Sequence, residues 1–143
     1  MNNEEKAEAL FMSGLNCAQA VFTAFADEMG LDEATAIKVS CGLGGGVGRL
    51  REVCGAVSGA AMVIGYRAGG DKMKAYPLIQ DFAARFKSET GSIVCRELLS
   101  GIAATQGGVA EMRSAEYYKK RPCVELVKLA ARLLADSASK SQK

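Results

Sequence analysis

The stretch CGLGGGVGRLREVCGAVSGA, residues 41–60, decides how the chain is read. Taken as strand, glycine loop and helix, it would open a nucleotide-binding α/β fold. Taken as two helices joined by a turn, it belongs to an all-α protein. A phosphate loop needs GxxxxGK[ST], and the dinucleotide fingerprint needs GxGxxG directly after a strand. Neither spacing is met, because Gly48 is followed by Arg49 and no strand-like segment precedes the glycines. The run reads as a sharp turn between helices, with an anion-binding backbone nest as the open alternative.

Outward from this turn the hydrophobic period is helical. Ala7, Leu10 and Phe11 share a face ended by Gly14. Asn16 is placed to cap a helix with Cys17, Ala20, Val21, Ala24 and Phe25 on its apolar side, closed by Gly30. Asp32 starts a third helix with Ala34, Ile37 and Cys41 along one side. After the glycines, a small-residue helix is expected from Arg51 or Val53 to Gly69-Gly70, with Gly55/Gly59 and Ala56/Ala60 at four-residue spacing. Such glycines lower helix propensity, so close packing or room for a bound group should offset them.

The pattern continues through Lys72–Thr90, where Pro77 marks a kink or the true start, and Gly91 ends the helix. Ser92 can cap a short helix carrying Cys95, Leu98, Leu99 and Ile102. Residues 104–115 read as loop, Pro122 as a first-turn proline, and Cys123, Leu126, Val127, Ala130, Leu133 and Leu134 as a last stripe. The expected fold is all-α, a compact single-domain bundle of about six or seven helices over residues 1–143, with 136–143 a frayed tail.

Composition narrows the function. The 143 residues carry a net charge of +2 and are 49% hydrophobic, which suits one folded domain. There is no basic stripe to fit nucleic acid; the patch at 119–121 and the tail KSQK read as solvated surface. The start MNNEEKAEALF lacks the basic and apolar regions of a signal peptide, and the longest apolar stretch, Ala60–Tyr66, is too short to span a membrane. A cytoplasmic protein with reduced thiols is expected. The chain has no histidine, which removes Ser-His-Asp and Cys-His catalysis and histidine-ligated metals or haem.

Five cysteines remain, at 17, 41, 54, 95 and 123, with no CxxC pair among them. Each lies on an apolar helical face. Either they are buried as small hydrophobes, or the faces converge and bring the thiols together. Cys54 stands out, because it falls at the start of a helix, where free N–H groups and the helix dipole favour a thiolate. Arg49 and Arg51 add positive charge nearby, and Gly55 and Ala56 should leave the sulfur approachable.

The segments GLNCAQAVF, GGGVGRLREVCGAVSGAAMVIG, GSIVCRELLSG and RPCVELV resemble, in order, those of the C_GCAxxG_C_C family of putative redox-active proteins, small helical proteins with four cysteines. CGAVSG, residues 54–59, carries the most specific match. The resemblance implies one site made of Cys17, Cys54, Cys95 and Cys123. Cys41 falls outside the pattern and is expected in the core.

The leading expectation is thiol–disulfide exchange with a redox partner protein or small thiol, Cys54 reacting and Cys17, Cys95 or Cys123 resolving. The alternative is an electron-transfer module in which the same four thiolates ligate zinc or an iron–sulfur cluster. A non-enzymatic interaction domain with inert cysteines is the third. The small-residue face would suit a homodimer as well as a compact core.

Overall fold

The computed structural model describes residues 1–99 and 122–141. Within them the chain forms seven helices: α1 (Asn3–Met12), α2 (Cys17–Ala24), α3 (Glu33–Ser40), α4 (Gly55–Arg67), α5 (Lys72–Thr90), α6 (Cys95–Leu98) and α7 (Cys123–Ser141). No strand forms among the described residues; the one β-type pairing is an isolated antiparallel bridge between Val53 and Val94. The fold is all-α. The expected loop at 104–115 and the basic patch at 119–121 lie outside the described residues.

Local side-chain chemistry sets most helix starts. Asn2 and Glu5 close a reciprocal capping box on α1, and Asn16 and Gln19 do the same on α2. The second box reaches further. Asn16 Nδ2 donates to the Cys41 carbonyl at 3.0 Å, and Gln19 Nε2 to the Ile37 carbonyl at 3.1 Å. Two capping residues of α2 therefore also satisfy the C-terminal end of α3. Asp32 caps α3 through the Thr35 N–H and hydroxyl, and Gly91 ends α5 in the left-handed region, as a C-terminal glycine does.

Every residue of α2 after Cys17 is buried, because this helix is wrapped by α1, α3, α4 and α7. Helix α5 covers α4 and α7 with Ala75, Phe82 and Phe86, and runs straight through Pro77. That proline and Met73, whose carbonyl loses its usual donor, are both exposed, so water can satisfy the gap. Helix α7 buries the full predicted stripe, and the Pro122 carbonyl accepts its first helical bond from Leu126.

The small-residue face of α4 packs inside the chain. A Cβ on Gly59 would stand 2.9 Å from the Ala18 carbonyl oxygen, and one on Gly55 3.0 Å from the Ala18 nitrogen. The glycines let two backbones touch. Arg67, at the other end of α4, ties the bundle together. It forms a paired contact with Glu28 at 2.6 and 2.9 Å, donates to the Leu134 carbonyl at 2.8 Å, and lies over the Phe25 ring.

Three local expectations are corrected. Helix α3 buries Ala36 and Ser40, while Ala34 and Cys41 are exposed. Cys41 is thus a surface thiol, not a core one. Helix α4 begins at Gly55 rather than at 51–53, because residues 51–54 are drawn out to meet the segment before α6.

Candidate functional site

Four cysteines stand where helices begin. Cys17, Cys95 and Cys123 are the first residues of α2, α6 and α7, and Cys54 is the N-cap of α4. These helix starts meet around one cavity of about 50 Å³, lined by all four cysteines together with Arg51, Gly45 and Gly46 and an apolar wall of Leu98, Leu99 and Leu126. The space admits a few waters, each of which needs roughly 10–15 Å³. Cys54, Cys95 and Cys123 are buried, Cys17 is half-buried, and none of the five cysteines is in a disulfide.

Two chain segments hold the centre of this site. The Cys54 N–H donates to the Ile93 carbonyl at 2.8 Å, and the Cys95 N–H to the Glu52 carbonyl at 2.6 Å. These bonds flank the Val53–Val94 bridge, so that Cys54 pairs with Ile93 and Cys95 with Glu52, and the two cysteines lie diagonally on either side of the bridge. Ser92 supports the turn into α6 by accepting from the Val94 N–H, and its hydroxyl donates to Glu97.

The glycine loop is the third wall. Gly45, Gly46, Val47, Gly48 and Arg49 all have positive φ, between 55° and 72°. Such a left-handed run is tolerated by glycine and disfavoured for other residues. Gly46 carries a second constraint: a Cβ there would fall 2.7 Å from Cys95 Cβ and from the Glu52 nitrogen. The glycines therefore shape the cavity by close approach. The N–H groups of residues 48–52 all bond to carbonyls of residues 42–47 and so close the turn on itself.

Burial reverses the electrostatics expected at Cys54. Its thiol is pushed up from 9.0 to about 12, chiefly by removal from water. The N–H groups of Ala56 and Val57 act in the direction a helix start predicts, but they are outweighed; charge on Cys123, and then on Cys95, raises it further. Cys54 is only 4% exposed, and Gly55 and Ala56 beside it are buried as well. The arginine expected beside Cys54 serves a different sulfur: Arg51 Nη1 lies 3.9 Å from Cys95 Sγ.

Thiolates are soft donors suited to zinc or iron. Among the described residues, however, no group of three or more Cys, Asp or Glu side chains stands close enough to hold one ion. The four sulfurs line a cavity without closing on a point, so this arrangement does not fit a metal centre as it stands. No described helix is long and apolar enough to cross a membrane.

A helical protein whose four helix-start cysteines share one cavity belongs, by fold and site, to the class of small cysteine-motif proteins. The family description putative redox-active protein (C_GCAxxG_C_C) matches residues 15–137, and the chain belongs to that family. Neither the curated proteins nor the solved structures contain a match.

Proposed function

We propose that this redox-active protein works by thiol–disulfide exchange, with Cys54 as the central thiol and Cys95 and Cys123 as its partners. The observation that carries this reading is the sharing of one small cavity by the four motif cysteines, with Cys123 and Cys95 both acting on Cys54. Cys17 is the more exposed member, at the cavity's half-buried side.

In the first step, a motif thiolate attacks one sulfur of a partner disulfide. The partner S–S bond breaks, one partner sulfur leaves and takes up a proton, and a mixed disulfide remains. Cys54 then gives its proton to solvent and attacks the protein sulfur of that mixed disulfide. The second partner sulfur leaves and is protonated. The protein dithiol has lost two electrons, and the partner disulfide has become two thiols.

The test is a thiol count and a non-reducing peptide map after mild oxidation of metal-free protein. Loss of two thiols, with Cys54 bonded to Cys95 or Cys123, is expected. A disulfide that persists unchanged in Cys54→Ser would remove Cys54 from its role. Near-stoichiometric iron or zinc in protein purified without oxygen, lost in Cys54→Ser, would replace exchange with a thiolate metal site.

A further inference from the structure

Arg51 is the one charged side chain among the described residues lining the sulfur cavity. It is also a non-glycine residue at φ 63°, a backbone state that costs an ordinary side chain energy. The surroundings hold it there from both sides. Its N–H donates to the Gly45 carbonyl at 3.1 Å, and its own carbonyl accepts from Arg96 N–H at 3.2 Å and Nε at 3.0 Å. Arg96 is itself anchored by Glu52, Nη2 to Oε1 at 2.6 Å. The outcome of this bracing is a guanidinium turned into the cavity, with Nη1 3.9 Å from Cys95 Sγ.

We propose that Arg51 is a positioning residue that makes Cys95 the entry sulfur, the one that attacks the incoming disulfide, by balancing negative charge on Cys95 in a cavity whose other described lining residues carry no charge. This rests on the exchange reading above and deepens it. Attack on a disulfide places negative charge on the attacking sulfur before the new bond forms and on the leaving sulfur after it. A half-buried cation in van der Waals reach, with leucines along one wall, acts on such charge more strongly than the same cation in open solvent. Cys54, which lines the same cavity, is left to resolve the mixed disulfide. Cys41, exposed and outside the cavity, serves as an internal reference.

The conformational strain gives the proposal a sharp test. Arg51→Gly removes the cation and at the same time relieves the positive φ, so it should fold at least as stably while reacting more slowly. Full-length, reduced, metal-free protein is mixed with dipyridyl disulfide, and the modified cysteines are quantified over time by mass spectrometry. In the native chain, Cys95 is expected to form the mixed disulfide before Cys54 and Cys123. Arg51→Gly should slow Cys95 by about tenfold or more, leave Cys41 unchanged, and not lower the thermal midpoint. Arg51→Lys should keep most of the rate and Arg51→Met should lose it, a pair that carries the test if the glycine variant unfolds. An unchanged Cys95 rate in both Arg51→Gly and Arg51→Met, or Cys54 reacting ahead of Cys95 in the native chain, overturns the assignment. If Cys95 slows as expected but no internal disulfide ever follows in the native chain, Arg51 keeps its role and the exchange reading fails.

Discussion

The buried proton on Cys54 makes a prediction about alkaline stability. In the folded chain this thiol holds its proton to about pH 12, against an ordinary value of 9.0. Between these values the unfolded chain has released the proton and the folded chain has kept it. The unfolded state then binds fewer protons, so stability is fully present below pH 9 and falls as pH rises toward 12. At about 1.4 kcal/mol per tenfold change, the whole window is worth on the order of 4 kcal/mol, and the step from pH 8 to pH 10 about 1.3 kcal/mol. The rest of the chain is common to the native protein and a Cys54 variant, so the quantity to measure is a difference. Urea unfolding at pH 8 and pH 10, with reductant and chelator present, is compared between the native chain and Cys54→Ala. The native chain should lose about 1.3 kcal/mol more than the variant across that step. Equal losses would mean that Cys54 does not keep its proton on folding, and the burial argument for its chemistry would fail with it.

Four further outcomes test the packing. Gly59→Ala should destabilise by about 1–3 kcal/mol in urea unfolding, because its Cβ would press on the Ala18 backbone, whereas Gly65→Ala on the same helix meets nothing within 4 Å and should stabilise by about 0.5–1 kcal/mol. Val47→Gly relieves a β-branched residue at φ 64° and should raise stability by about 1 kcal/mol. Arg67→Met removes the paired contact with Glu28 and the bond to the Leu134 carbonyl, and should cost about 2 kcal/mol by the same assay.

What was legible in the sequence was the chemistry that acts over one helical turn. Asn16, Asp32 and Gly91 mark helix ends because their effects are satisfied by neighbours in sequence, and the structure uses all three. The stripe of α7 was legible because several turns average out an error of phase. In α3, with 8 residues, one position of error moved the buried face from Ala36 and Ser40 to Ala34 and Cys41. The start of α4 was missed for a different reason. Residues 51–54 are held by hydrogen bonds to residues 93–96, a partnership with no local signal. The gathering of the four motif cysteines came through the resemblance and not from spacing. The direction of charge at Cys54 could not be read locally, since the N–H groups of Ala56 and Val57 are local while the burial that outweighs them comes from α2, α6 and α7.

Under the exchange reading, the two central cysteines have different surroundings: the Arg51 guanidinium lies 3.9 Å from the Cys95 sulfur, while burial raises the Cys54 thiol. A dithiol becomes a strong oxidant's product when folding stabilises its thiolate, because the reduced form then gains energy that the disulfide cannot. Cys54 gains nothing of the kind, as it sits neutral in an apolar wall. Converting it to a disulfide removes a thiol that the cavity would not ionise, and does not give up a favourable charge. Under the proposal above, Arg51 would balance charge at Cys95, where it would assist the first attack. Within this reading the neutral Cys54 thiol would pull the site toward giving electrons to a partner disulfide, while a charge-balanced Cys95 would pull the other way.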